Sequence, residues 1–155
     1  IYNDLRREEN RVIIESFLDH HFLTRSSESD PTILNLIYEI GLIHNIKSTK
    51  LLIKIGSKAI DSKNVVLEIT GAIVDIFGAK ENSLVNLTKK EQRELLLYLK
   101  KICEIYPDDK AVISTLACGL DCLEKKYRHG PPGSSYMLVK AETILEIIEE
   151  LLNIK

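Results

Sequence analysis

Asp19, His20 and His21 stand side by side, and a carboxylate with two imidazoles can hold a divalent metal and activate a water on it. The triplet closes an amphipathic segment, however, and basic side chains in a helix's last turn suit its carbonyl end. We read them that way. Cys118 and Cys122 sit one helical turn apart, with Cys103 on the preceding segment, so three thiolates and a histidine could bind zinc. Their apolar surroundings favour cysteine packed as a small hydrophobe, and no neighbouring base is evident for a thiol nucleophile. The stretch Tyr127-Arg128-His129-Gly130-Pro131-Pro132-Gly133-Ser134-Ser135 offers an arginine, free amides and a helix start that could take an anion or a peptide. It lacks a Walker lysine and a preceding strand, which argues against a nucleotide. Tyr127, Arg128, His129, Ser134 and Ser135 are the candidate partner-binding residues. Lys47, Lys50, Lys54 and Lys58 follow the three-and-four spacing of one helix face, a candidate basic surface whose ordinary role is to face water.

The Asp-His-His triplet resembles the metal-binding signature of DHH phosphoesterases. In that family it follows a strand of an α/β domain, with further aspartates upstream, whereas here a helix precedes it. No metal and no cofactor are expected.

The totals narrow the partners. With 155 residues, 45% hydrophobic and 28% charged, the chain has the composition of one folded domain. A formal charge of −2 removes the simplest argument for nucleic acid, and no aromatic side chains interleave with the basic ones. Residues 1–30 hold four Arg against seven Asp or Glu. That acidic start, and the odd cysteine count, suit an intracellular, cytoplasmic interaction protein. No apolar run is long enough for a membrane span. The first residue is Ile1, which reads as a processed or excised piece of a longer protein.

The elements that must position these residues read as helices throughout. A first, acidic helix runs from about Asn3 or Asp4 to Phe22, with Leu5, Val12, Ile13, Phe17 and Leu18 inward. A polar connector, Thr24 to Asp30, ends at Asp30-Pro31, a cap residue and the proline that a first turn accepts. Mostly apolar helices follow at 32–43, 64–77 and 110–123, alternating with amphipathic ones at 48–61, 89–105 and 135–153. In the 64–77 helix the only charges, Glu68 and Asp75, are seven residues apart and share one stripe. Thr88 and Glu91 form a capping box, Asp108 or Asp109 caps the helix after Pro107, and Ser134 or Ser135 caps the last. Leu138, Ala141, Ile144, Leu145, Ile148 and Leu151 form the inner stripe of that last helix.

Aligning Val66 with Val112 superposes Gly71 on Ala117, Ala72 on Cys118 and Asp75 on Asp121. The glycines at 41, 56, 71 and 119 lie inside helices, where close helix approach would offset their low propensity. An inner and an outer helix per unit over about residues 31–153 resembles the HEAT and armadillo class of helical repeats. The resemblance implies an all-α superhelix of about six to seven helices working as a scaffold or adaptor; the alternative architecture is a compact helical bundle. Residues 1–155 are expected to form one domain: an acidic helix and linker over 1–30, then helical pairs over 31–155. The function expected is non-catalytic protein–protein interaction. A homo-oligomeric assembly or regulatory module is the alternative, and a nucleic-acid-binding stack or metal-dependent hydrolase is further away.

Overall fold

The computed structural model describes residues 2–24, 31–130 and 136–153, with side chains from residue 7 onward and not at 23–24. Among the described residues there are seven α-helices and no strand: α1 (Tyr2–Thr24), α2 (Pro31–Ile43), α3 (Thr49–Lys58), α4 (Lys63–Gly78), α5 (Lys89–Ile105), α6 (Lys110–Glu124) and α7 (Ala141–Asn153). Two short 3-10 turns, Ile46–Ser48 and Leu84–Asn86, lie in the connections. Contacts divide the chain into two units, Ile1–Ile76 and Phe77–Lys155. No helix among the described residues is long and apolar enough to cross a membrane.

In the first unit α1 packs on α2 and α3. Leu18, Phe22, Ile33, Ile37, Ile40, Leu52 and Ile55 fill the interior, with Val65, Val66, Ile69, Ala72, Ile73 and Ile76 of α4. Burial on so many sides of α4 is what its nearly unbroken apolar girth requires. Even Thr70 is buried; its hydroxyl donates to the Val66 carbonyl oxygen at 2.9 Å, so no polar atom is stranded. Gly41 of α2 lies against Ala72: a Cβ there would stand 2.8 Å from the Ala72 Cα and 3.0 Å from its Cβ. At Gly71, by contrast, a Cβ would meet nothing within 4 Å. Close approach therefore explains Gly41 and not Gly71. Gly41→Ala is expected to cost about 1 kcal/mol net, overpacking outweighing the gain in helix propensity, while Gly71→Ala gains up to about 1 kcal/mol. Urea midpoints of the two variants should move in opposite directions.

Glu68 and Asp75 are both half-buried on α4. Burial pushes both carboxyls above their ordinary range; the Asp75 charge adds to the rise at Glu68, while His44 opposes it at Asp75. A raised value means the folded chain prefers the protonated acid, a contribution complete below the unfolded pKa and lost as pH climbs through the folded one. The double variant Glu68→Gln, Asp75→Asn should therefore gain on the wild type as pH rises above the ordinary carboxyl range of about 4, read as a widening gap in urea midpoint that levels off once both buried carboxyls have ionised.

The second unit is built on α5, which packs against both α6 and α7, with α6 also touching α7. Leu95, Leu99, Ile102 and Cys103 meet Val112, Leu116, Leu120, Ile144 and Ile148 in its core. The α5 start is the expected capping box: Glu91 N–H donates to Thr88 Oγ1 at 3.1 Å, and Thr88 N–H to Glu91 Oε1 at 2.9 Å. Asp109, not Asp108, caps α6, accepting from Val112 N–H at 3.1 Å. At its end α6 turns through Lys125 in the left-handed conformation, φ 57°. Lys126 N–H donates back to the Asp121 carbonyl at 3.1 Å, and the Lys125 ammonium donates to the carbonyls of Phe77, in the last turn of α4, and of Ala79, just after it.

Two expectations are corrected. Val12, Ile13 and Phe17 do not face inward; they are 54%, 67% and 51% exposed, while Leu18 and Phe22 of the same helix are buried. The reason is a polar seal on the inner side, where Arg11 pairs with Glu8 and Glu15 while Asn45 Nδ2 donates to Glu8 at 2.9 Å and Ser48 Oγ to Glu15 at 2.8 Å. The last helix, moreover, begins at Ala141 rather than at 135. Tyr136 hydroxyl donates to the Gly130 carbonyl at 3.0 Å and Val139 N–H to the Tyr136 carbonyl at 3.2 Å, so the segment 136–140 turns instead of winding. Leu138 consequently leaves the inner stripe and is 89% exposed.

Candidate docking site after α6

Asp121 is the one carboxylate within the apolar body of α6, whose only other acid is its last residue, Glu124, and it is 1% exposed. Such a group needs full hydrogen bonding, and the loop that follows supplies it. Asp121 Oδ1 accepts from Arg128 N–H at 3.1 Å and from His129 Nδ1 at 3.0 Å; Oδ2 accepts from His129 N–H at 3.2 Å. The His129 ring is nearly enclosed, its side chain 6% exposed, and the Tyr136 ring leans on it at a centroid distance of 6.1 Å. Burial, then the nearby Asp121 charge, pushes the Tyr136 hydroxyl up to about 12, so it stays a proton donor to Gly130. Arg128 adds a second tie, to Glu124 at 2.8 Å and Glu150 at 3.1 Å, which together hold its guanidinium firmly protonated.

The first side of the loop is thus fixed to α6 and α7, the second is tied back to Gly130 through Tyr136, and both expose apolar side chains. Tyr127 is 61% exposed at the start of the loop, and at its other end Met137 is 48% and Leu138 89% exposed. At Met137 and Leu138 opens a cleft of about 380 Å³, lined by Pro107, Asp108, Lys110 and Ile113 on one side and by Met137, Leu138, Lys140 and Glu142 on the other. A volume of that order accommodates one or two side chains of a bound segment. Its floor is apolar, and its rim carries charges of both signs.

No protein family, curated protein or solved structure matches the chain.

Of the residues singled out by sequence, Arg128 and His129 belong to the Asp121 network and Tyr127 precedes them; none of the three lines the cleft. Ser134 and Ser135 fall outside the described residues. The lysine face is elsewhere and is partly used within the fold: Lys54 pairs with Asp19 at 2.7 Å and Lys58 donates to the Phe22 carbonyl at 3.2 Å, while Lys47 and Lys50 point to solvent. Asp19 is therefore engaged with α3, and His21 stacks edge-on against Phe22 at 5.1 Å. Among the described residues no group of three His, Cys, Asp or Glu side chains is placed to hold a metal. Cys103 is fully buried, its thiol pushed up to about 11 mainly by burial and aimed at the Ala141 carbonyl 3.5 Å away. Cys118 and Cys122 are half-buried; the Cys122 thiol is raised by its hydrogen bond to Cys118 and by burial, the reverse of what a thiolate nucleophile needs.

Asp121, Tyr136, Met137 and Leu138 are site residues that the sequence reading did not assign. For Asp121 there was a signal: one acid inside an otherwise apolar helix must find donors, and the nearest donor-rich stretch is the loop that follows it.

Proposed function

We propose that the chain is a non-catalytic, intracellular protein-interaction module, and that a partner docks on the surface made by Met137, Leu138 and the adjoining cleft. The observation that carries this reading is Leu138, 89% exposed at the rim of an open cleft on a segment pinned through Tyr136. Fixing a large apolar side chain in water is unfavourable unless something covers it, and a pre-organised anchor lowers the entropic cost of association. The partner's matching feature would be an apolar side chain flanked by polar groups, since the rim offers Asp108 and Glu142 beside Lys110 and Lys140. The alternation of nearly all-apolar helices with amphipathic ones supports a HEAT-like stack as the framework, and adaptor work suits such a scaffold.

A photo-crosslinking residue at position 138 tests this, with position 85 as control because Val85 is 81% exposed on the same unit, in a connection away from the cleft. The expected result is a defined crosslinked protein from 138 and none from 85. Equal labelling from both positions would contradict the proposal.

A further inference from the structure

The outward-facing stripe of α1 has an internal order that the docking site after α6 does not explain. Glu9, Ile13, Phe17 and His20, spaced four, four and three residues apart, fall on one helix face, and all four are exposed. Asn10 and Ser16 flank them, so the middle of the stripe is apolar and uncharged, with its charge-bearing groups at the two ends. The opposite face is committed, through Leu18, Phe22 and the Glu8–Arg11–Glu15 ion pairs, to α2, α3 and their connection. An apolar centre with a polar rim is the anatomy of a protein interface.

The order also names the occupant. Read in one direction the stripe is acid, aliphatic, aromatic, base; an identical helix running antiparallel presents base, aromatic, aliphatic, acid. Glu9 then meets His20 of the other copy, and Ile13 meets its Phe17, at both ends of one two-fold axis. Self-complementarity of this kind is the requirement of an isologous contact. We infer that the outer face of α1 is the contact surface for a second copy of this chain, formed as an antiparallel α1–α1 pair. The stripe is short, below the roughly 800 Å² per partner of a standard stable interface, so the pair is a weak, concentration-dependent one. This inference concerns the first unit alone and does not rest on the docking site after α6.

Light scattering coupled to size exclusion, on the full chain from about 1 μM to about 1 mM, tests it. The expected mass rises with concentration from the 17.6 kDa of one chain toward twice that value. Ile13→Glu and Phe17→Glu should each abolish the rise while leaving the helical circular dichroism unchanged, and Val85→Glu should leave the rise intact. Glu9→Lys should weaken pairing several-fold, and adding His20→Glu to it should restore pairing, because the acid and the base then change places across the two-fold axis. A mass that stays at one chain throughout, a doubling that survives both glutamate variants, or a loss at Glu9→Lys that the second change does not rescue would each overturn the inference. So would a monomer that uses Ile13 and Phe17 to hold a different protein.

Discussion

Asp121→Ala should lower stability by about 3 kcal/mol, since three donors buried with the carboxylate lose their acceptor and each costs roughly 1 kcal/mol or more. The donors are the backbone N–H groups of Arg128 and His129 and the His129 imidazole, all within 3.2 Å of the two carboxylate oxygens. Asp121→Asn keeps the shape and one acceptor but turns an amide NH2 toward a donor, so its cost should fall between wild type and alanine. Urea denaturation gives the global effect. The loop has a second route open to it: it can detach and hydrate its donors, in which case local opening limits the global loss. Limited proteolysis distinguishes the two, because detachment exposes the backbone around Tyr127 to Gly130 to cleavage that the wild type resists. Arg128→Ala should release the loop less: its pair with Glu150 is solvent-exposed and contributes little, and the change costs Glu124, 7% exposed, one partner instead of stranding three donors.

Leu138→Glu should leave stability almost unchanged and weaken partner binding about thirtyfold, roughly 2 kcal/mol, the loss typical of an anchor side chain. The contrast with Asp121 is the informative part. Leu138 makes little packing contact within its own chain, so removing it costs the fold nothing that calorimetry of the isolated protein would register. Asp121→Ala should also weaken binding, by loosening the segment that presents Met137 and Leu138, but it should do so together with a loss of stability. Separation of the two effects, binding without stability at Leu138 and both at Asp121, is the signature of an anchor held by a buried support.

The helical class and most helix starts were legible because local chemistry writes them. Thr88 with Glu91 and Asp109 before α6 satisfy amide groups within a few residues, Pro31 at a first turn has no N–H that needs a partner, and no tertiary contact is needed to place any of them. The surrounded character of α4 was legible from its girth. The facing of α1 was not, because that helix carries two apolar stripes, one with Leu18 and Phe22 and one with Ile13 and Phe17. What selects between them is Asn45 and Ser48 reaching Glu8 and Glu15 from more than thirty residues away. The start of α7 was misplaced for a similar reason: nothing in the local pattern of 136–140 forbids a helix, and it is the Tyr136 contact with Gly130 that turns the chain. Of the five loop residues named from sequence, Arg128 and His129 are tied to Asp121 and none of the described ones lines the cleft. Its support was missed because Asp121 was noticed only as the counterpart of Asp75 in the alignment, not as a buried charge in search of donors.

Amide hydrogen exchange of the full chain, alone and saturated with the partner captured at position 138, is the most direct test of the docking site. The account predicts slowed exchange at residues 107–113 and 136–142, the two sides of the cleft, with the outer face of α1 unaffected by that partner. Slowing confined to α1 or to the lysine face of α3, with the cleft amides unchanged, would contradict it.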